Sequence, residues 1–172
     1  MGTDAPRRLV LTRHAKAEPN GPDDHERPLS AAGRLEAPGT GRWLAVAGIA
    51  PGLALVSTAR RAGETWELIV PELPAPPPTV FEDRVYEADV ADLLALAGET
   101  PDEVSGLLVL GHNPGVHELA DALTGESDGD LLDRMDASGF PNSAVAVLEF
   151  TGSWKDLDAG LARLVAFRTP EG

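Results

Sequence analysis

Two arginine and two histidine side chains are the residues of this sequence best suited to chemistry on an anion. Arg13 and His14 end one apolar run, His112 ends a second, and Arg61 follows a third run that ends at Ser57. A guanidinium group binds phosphate oxygens through paired hydrogen bonds, and a neutral imidazole can act as a nucleophile or a base. If the fold brings the four together, we expect a pocket for a phosphoryl group.

The elements that must position these residues are predicted from alternating strand-like runs and helical patterns. Strands are expected at Arg8 to Thr12, Leu53 to Ser57, Gly106 to Gly111, Ala144 to Phe150 and Leu161 to Arg168, with a short one at Thr79 to Glu82. Apolar residues at helical spacing predict three further helices. One follows Asp89, one follows Asn113 and Pro114, and one contains Ala62, Trp66 and Ile69. Ser30 to Ala47 is assigned to a helix by position, although its glycines and Pro38 disfavour one. Because runs such as L-L-V-L suit a sheet covered on both faces, the pattern predicts an α/β fold, a three-layer α/β/α sandwich with a mainly parallel central sheet.

The carboxyl edge of such a sheet is where its ligands bind. His112 lies in the segment G-H-N-P-G, where Gly111 permits close backbone approach, Asn113 is expected to cap a helix and Pro114 to begin it. The N–H groups and dipole at a helix N-terminus favour anions. The second histidine is therefore expected beside an anion site.

Composition limits the partners of the chain. Its 172 residues carry 14 basic and 28 acidic side chains, a formal net charge of -14, and no cysteine. The negative charge disfavours nucleic acid and anionic membranes as partners, so a phosphate site must be a local pocket. Without cysteine, thiolate metal ligands and cysteine nucleophiles are excluded, which fits a cytoplasmic protein.

The chain is expected to form one domain over residues 1–172, without a membrane anchor. The N-terminal residues M-G-T-D-A-P-R-R lack the apolar core of a signal peptide, and no apolar run is long enough to span a bilayer. The proline-rich residues 71–78 are interpreted as a connection within the domain, because strand-like runs lie on both sides. Nothing in the sequence predicts the oligomeric state.

Three motifs in order resemble the histidine phosphatase (phosphoglycerate mutase-like) superfamily. They are R-H-A-K-A from Arg13, S-x-x-x-R-A-x-x-T from Ser57 and G-H-N-P from Gly111, and R-P-L-S-A-A-G from Arg27 is similar to the small bacterial phosphohistidine phosphatases. The resemblance implies a phosphoglycerate mutase-like fold and a phosphatase without a cofactor or a metal ion. It also implies that His14 is the nucleophile and that Arg13, Arg61 and His112 bind the phosphoryl group.

Several residues around these motifs keep two interpretations. Glu87 lies where the larger superfamily supplies its proton donor, but an exposed or capping carboxylate is as good an explanation. Asn20 and Asn113 are candidate phosphate contacts, although Asn20 can equally shape the turn before Gly21. Ala15 replaces the common glycine of R-H-G. If that glycine has a positive φ, Ala15 either strains the loop or reshapes it slightly, and we expect reshaping.

Two polar stretches are interpreted as surface features. The acidic D-D-H-E segment, residues 23–26, is expected to be a solvated loop rather than a metal site, and His117 to be a polar residue of a first helical turn rather than a substrate contact. The role of residues 125–143 cannot be predicted beyond a surface loop or partial helix.

The predicted function is hydrolysis of phosphohistidine in proteins, or of another small phosphorylated group, through a phosphohistidine intermediate. The alternatives are a small-metabolite phosphatase or mutase, and a phosphate-binding module without turnover. The chain lacks room for the long insertion with which larger mutases hold sugar phosphates, and His14 argues against a module without activity.

Overall fold

The apolar runs form a seven-stranded sheet in the computed structural model, which describes residues 5–21 and 23–170. The strands are β1 (Arg7–Arg13), β2 (Leu53–Ser57), β3 (Thr79–Glu82), β4 (Gly106–Gly111), β5 (Thr124–Ser127), β6 (Val145–Phe150) and β7 (Ala162–Arg168). The helices are α1 (Ala31–Val46), α2 (Arg60–Ile69), α3 (Val90–Gly98), α4 (Gly115–Leu123) and α5 (Leu131–Ser138). Single 3₁₀ turns lie at Asp24–Glu26, Val70–Glu72, Asp83–Val85 and Trp154–Asp156.

The strand order is β3-β2-β4-β1-β6-β7-β5. Six of the seven strands have at least one parallel neighbour. The strand β4 lies between β1 and β2, β3 lies beside β2, and β5 lies beside β7. Only β6 is antiparallel, to β1 and to β7. The mainly parallel sheet predicted from the sequence is therefore confirmed, and the carboxyl ends of β2, β4 and β1 lie side by side.

Alternate residues of β1 belong to separate cores on the two faces of the sheet. Leu9 and Leu11 pack in a cluster with Leu93 of α3 and Leu119 of α4. Val10 packs in a second cluster, which includes Leu44 and Trp66 of the helices α1 and α2. Helices thus cover both faces, as the three-layer prediction requires.

The helix predicted at Ser30 to Ala47 is continuous in spite of its glycines and proline. Ser30 caps it by accepting a hydrogen bond from the amide of Gly33 at 3.0 Å. A Cβ atom on Gly33 would lie 2.0 Å from the carbonyl oxygen of Lys16, so only glycine allows α1 to approach the segment after His14 this closely. Close packing against Lys16, rather than helix propensity, therefore explains why this position is a glycine.

The stretch of uncertain role, residues 125–143, contains most of β5 and all of α5. The strand β5 was not predicted because its sequence T-G-E-S has no apolar alternation, and it forms at the sheet edge beside β7. Among the described helices, none is both long enough and apolar enough to cross a membrane. The segment M-G-T-D, on which the expectation of no signal peptide partly rested, lies outside the described residues.

Candidate active site

Backbone pairing places the two histidines at adjacent strand ends. Arg13 is paired with Gly111 in the register of β1 and β4, and the amide of His14 donates to the carbonyl of Gly111 at 3.2 Å. The ring centroids of His14 and His112 are consequently 5.1 Å apart. The strands therefore bring together the two imidazoles that the sequence places almost a hundred residues apart.

A backbone hydrogen bond fixes the protonation of the His14 ring. Its Nδ1 atom lies 2.7 Å from the carbonyl oxygen of Ala15, which can only accept, so Nδ1 carries the ring proton. Burial, with the positive charge that His112 would carry, lowers the pKa of His14 to about 3. The imidazole is then neutral at pH 7, with the lone pair on Nε2, the form required of a nucleophile.

His112 is held by Ser57, the first residue of the second motif. The His112 Nε2 atom lies 2.7 Å from Ser57 Oγ, which also accepts a hydrogen bond from the amide of Ala59 at 3.2 Å. Burial and the charge of Arg61 lower the pKa of His112 to about 4. A neutral ring that accepts the Ser57 hydroxyl proton at Nε2 carries its own proton on Nδ1. This Nδ1 is buried and has no partner among the described residues, so it is available to donate to a bound oxyanion.

The two arginines predicted to bind phosphate are held by backbone carbonyls. Arg13 Nη1 donates to the carbonyl of Phe140 at 3.2 Å, and Arg61 Nη1 donates to the carbonyl of Asp24 at 2.7 Å. Burial and the charge of Arg61 lower the pKa of Arg13, which indicates two guanidinium groups close enough to repel. In both side chains the buried Nε has no partner among residues 5–21 and 23–170. An anion bound between them would reduce the repulsion between the two guanidinium groups and would accept hydrogen bonds from the unpaired Nε atoms.

The neighbouring residue Arg60 is different. Arg61 is 5% exposed, whereas Arg60 faces solvent and pairs with Glu64 one turn along α2. The choice of Arg61 over Arg60 as the phosphate ligand is consistent with this burial.

Ala15 fits the loop without backbone strain. It is not among the described non-glycine residues that have a positive φ, and its side chain is fully buried beside Leu29 and Ala37. Its amide donates to Thr65 Oγ1 at 3.0 Å, and the Thr65 hydroxyl donates to the carbonyl of Arg61 at 2.7 Å. Thr65 thus connects the loop after His14 to α2. This contact explains why the second motif ends in a threonine.

A cavity of about 390 Å³ opens beside these groups. It is lined by Asp24, Arg61, Tyr86, Glu87, Ala88, Asp89, His112, Asn113, Pro114 and Glu118. Glu87 therefore lies at the cavity, and its backbone has a left-handed φ of 59°, which costs a non-glycine residue some energy. This conformation sets the direction in which the Glu87 side chain leaves the backbone.

The two asparagine candidates have different surroundings. Asn113 lines the cavity, but its Nδ2 donates to the carbonyls of Gly139 at 3.2 Å and Phe140 at 2.9 Å. The prediction that Asn113 caps the following helix is wrong, because Pro114 occupies the N-cap position, α4 has no side-chain cap, and the buried Asn113 Oδ1 accepts no hydrogen bond from the residues that the structure describes. Asn20 is exposed and does not line the cavity.

Asp24 is a residue of the site that sequence reasoning missed. Its carboxylate accepts from Arg61 Nη2 at 3.1 Å, from the Tyr86 hydroxyl and from Arg27 Nε at 3.0 Å. Hydrogen bonding from Tyr86, with that from Arg61 and Arg27, holds the pKa of Asp24 well below its usual range. The D-D-H-E segment is thus attached to the pocket rather than simply solvated. No local pattern indicates a contact between residues 37 positions apart.

A second polar cluster lies between α4 and the end of α5, beside the carbonyl that holds Arg13. His117 Nε2 is 2.9 Å from an oxygen of Asp136 and 3.5 Å from one of Asp121, and its ring stacks on Phe140. The three ligand atoms could surround a metal ion, since all lie within 4.8 Å of one another. Burial and the Asp136 carboxylate raise the pKa of Asp121 to about 6, so a shared proton also accounts for the group. His117 does not line the cavity.

Comparison with known sequences gives a family and several relatives. The family model described as histidine phosphatase superfamily (branch 1) matches residues 9–139. An uncharacterised protein of Mycobacterium tuberculosis (strain H37Rv) is 37% identical over 161 residues, which cover 92% of this chain and 99% of that protein. A Mycobacterium leprae protein, also uncharacterised, is 36% identical over 163 residues with the same coverage.

Solved structures of SixA proteins share the fold. A SixA of Agrobacterium tumefaciens, assigned provisionally as a phosphohistidine phosphatase, superposes with a TM-score of 0.81 at 33% identity, over 96% of this chain and 99% of that one. One from Nakamurella multipartitia, with the same provisional assignment, gives 0.80 at 29% identity over 98% of both chains. A protein histidine phosphatase SixA complexed with tungstate gives 0.72 at 25% identity over 95% and 97%. By its family match, and with the fold of these SixA proteins, the chain belongs to the histidine phosphatase superfamily.

Proposed function

We propose that this chain is a metal-independent phosphatase in which His14 attacks a phosphorylated substrate, most favourably phosphohistidine, and carries the phosphoryl group as a covalent intermediate. The observation that carries the proposal is the hydrogen bond from His14 Nδ1 to the carbonyl of Ala15. It leaves a buried, neutral imidazole with its Nε2 lone pair free. That state has no structural purpose in a simple anion-binding module, where a protonated ring would bind more tightly.

The first step forms the bond between His14 Nε2 and phosphorus while the bond from phosphorus to the leaving group breaks. The phosphoryl oxygens carry negative charge in this transition state, and Arg13, Arg61 and His112 Nδ1 are the donors that stabilise it. As Nε2 bonds to phosphorus, the ring becomes cationic, and the Ala15 carbonyl stabilises the proton on Nδ1. The cationic side chains neutralise the phosphoryl group, a role that a metal ion has in other phosphatases.

The second step is attack of water on the phosphorylated His14, which releases inorganic phosphate and restores the imidazole. The same donors then stabilise the same phosphoryl oxygens. The SixA that is complexed with tungstate, a tetrahedral oxyanion like phosphate, supports oxyanion binding by a protein of this fold.

Glu87 is proposed to donate the proton when the leaving group needs one. It lines the cavity, in which the leaving group of a substrate attacked by His14 would lie. A phosphohistidine whose ring is already protonated leaves as neutral imidazole and needs no further acid. The contribution of Glu87 is thus expected mainly for oxygen esters.

We also propose a substrate, a cellular location and a domain organisation for this activity. The substrate is proposed to be a phosphohistidine-containing protein, and the site of action the cytoplasm. A single domain is supported by one sheet that includes strands from both sides of the proline-rich residues 71–78.

A substrate panel tests the proposal. Wild type, His14→Ala and Glu87→Gln are assayed on a phosphohistidine peptide, on p-nitrophenyl phosphate and on a set of sugar and glycerate phosphates. We expect the highest kcat/KM on phosphohistidine, a loss of at least about 10³-fold in His14→Ala, and slowing by Glu87→Gln only for esters with poor leaving groups. Faster turnover of a metabolite would favour the small-metabolite phosphatase instead, and full activity of His14→Ala would refute the nucleophile.

A further inference from the structure

The cavity beyond His112 is strongly acidic for a site that binds an anion. Four carboxylate residues line it, Asp24, Glu87, Asp89 and Glu118, against the single guanidinium of Arg61. Formal charges among the lining residues therefore sum to an excess of three negative charges. These four carboxylates are called the acidic mouth below.

The carboxylates of the acidic mouth differ in how far they are already neutralised. Asp24 is paired with Arg61 and Arg27, and Asp89 is engaged in a capping box at the start of α3. Glu87 and Glu118 are exposed, and neither forms an ion pair with any residue that the structure describes. These two glutamates consequently supply most of the uncompensated negative charge.

The glutamates face the space in which a leaving group would lie. The nucleophile His14 is 6% exposed, its ring lies 5.1 Å from that of His112, and His112 is on the cavity wall. A phosphoryl group that reaches His14 leaves the rest of the substrate in the cavity that Tyr86 and Glu118 line. Glu87 is close enough to the Tyr86 hydroxyl for its charge to contribute to the raised pKa of that group.

Negative charge in this position discriminates between leaving groups. A phosphate ester that carries a second anionic group, such as a carboxylate, is repelled by it. A phosphohistidine ring protonated on its second nitrogen is cationic and is attracted, as are lysine or arginine residues beside it. This protonated ring also leaves as neutral imidazole when the phosphorus–nitrogen bond breaks and the bond to His14 Nε2 forms, so no proton has to be added.

We infer that the acidic mouth, through Glu87 and Glu118, selects phosphohistidine flanked by basic residues over the same phosphohistidine flanked by acidic ones. The inference rests on the proposed function and adds a charge preference that phosphohistidine hydrolysis alone does not require. Exposed charge pairs each change binding only modestly, by roughly twofold to fivefold. We therefore expect about a tenfold preference from the two glutamates together.

The test uses two synthetic phosphohistidine peptides of equal length, one with lysine and one with glutamate on both sides of the phosphorylated residue. The readout is the ratio of their kcat/KM values, lysine peptide over glutamate peptide. A change that slows both peptides alike, such as loss of a proton donor at Glu87, cancels in this ratio. The variants are Glu87→Gln, Glu118→Gln and the double variant.

Glu103→Gln is the matched control. Glu103 is equally exposed but precedes β4, and so lies toward the amino end of the strand whose carboxyl end bears His112. We expect a ratio of about ten in wild type and in Glu103→Gln at low salt, roughly threefold less in each single variant, and a ratio near one in the double variant. Added salt should lower the wild-type ratio.

The outcomes separate the two proposals. Hydrolysis of both peptides at equal rates by wild type, or a ratio that the double variant leaves unchanged, overturns the charge selection and leaves the phosphatase proposal intact. Hydrolysis of neither peptide, with turnover of another phosphorylated compound, overturns both.

Discussion

At the scale of single residues, the proposed mechanism depends on neutral imidazoles and fixed guanidinium groups. The Ala15 carbonyl holds the His14 proton on Nδ1, the Ser57 hydroxyl is hydrogen-bonded to His112 Nε2, and the Asp24 carboxylate accepts a hydrogen bond from Arg61. In the proposed reaction, each of these partners orients a group rather than contacting phosphorus. Substitutions that keep charge but lose geometry should therefore be damaging.

Two arginine-to-lysine variants test whether Arg61, and not its neighbour Arg60, binds the phosphoryl group. Arg61→Lys should lower kcat/KM by about 10²-fold, because the ammonium group cannot both keep the Asp24 contacts and bind the phosphoryl oxygens. Arg60→Lys should change activity by less than about twofold, since Arg60 pairs with Glu64 on the surface. Steady-state kinetics on one phosphohistidine peptide decides the matter, and an equal loss in both variants would show that Arg61 is not the specific ligand.

The histidines also predict how stability depends on pH. Burial lowers the pKa of His14 to about 3 and that of His112 to about 4, from 6.5 for both. Between these values and 6.5 the unfolded chain binds more protons than the folded one, so the free energy of unfolding falls as the pH falls through 6.5. From about pH 7.5 to about pH 5.5 each ring should account for roughly 1 kcal/mol of that loss.

Urea unfolding in phosphate-free buffer measures this effect. His14→Asn and His112→Asn should each flatten the dependence of the unfolding free energy on pH over that range. Curves for both variants that run parallel to the wild-type curve would mean that the rings are not held neutral by the fold.

At the scale of elements, close packing explains why α1 forms although its composition disfavours a helix. The helix α1 contains three glycines and Pro38, yet it forms because Ser30 caps it and its glycines permit close approach. The strand ends beside which His14 and His112 lie, and the helix after β2 that contains Arg61, could be predicted, because continuous apolar runs end abruptly at polar residues. The contact of Asp24 with Arg61 could not, since an acidic loop sequence carries no information about which distant cation it meets.

Two helical glycines provide a matched test of this packing. Gly33→Ala places a Cβ atom 2.0 Å from the Lys16 carbonyl oxygen, whereas a Cβ on Gly63 in α2 would have no neighbour within 4 Å. We expect Gly33→Ala to destabilise the fold by about 2 kcal/mol or more, and Gly63→Ala to stabilise it by up to about 1 kcal/mol. Urea midpoints measure both, and equal midpoints would show that α1 tolerates a side chain at this contact.

At the scale of the whole molecule, the proposed anion site lies in a chain with a formal net charge of -14. Long-range repulsion must then oppose the approach of a small phosphate dianion, and only the local pocket attracts it. For a substrate with cationic surroundings, the same net negative charge would attract the substrate rather than repel it.

Ionic strength tests the long-range repulsion. Raising sodium chloride from about 10 mM to about 200 mM should increase kcat/KM for p-nitrophenyl phosphate roughly twofold, because screening weakens the repulsion of a dianion. The control is a lysine-flanked phosphohistidine peptide, for which the change should be a decrease. A decrease for both substrates would indicate that the pocket, rather than the net charge, dominates association.

The proposed mechanism requires a covalent phosphoryl group on His14, which can be trapped. The protein is incubated briefly with isotopically labelled phosphoramidate, quenched in base and digested, and the label is located by mass spectrometry. We expect an acid-labile, base-stable phosphate on the peptide that contains His14, and none in His14→Ala. Label on another residue, or substrate hydrolysis without any phosphorylated His14, would contradict it.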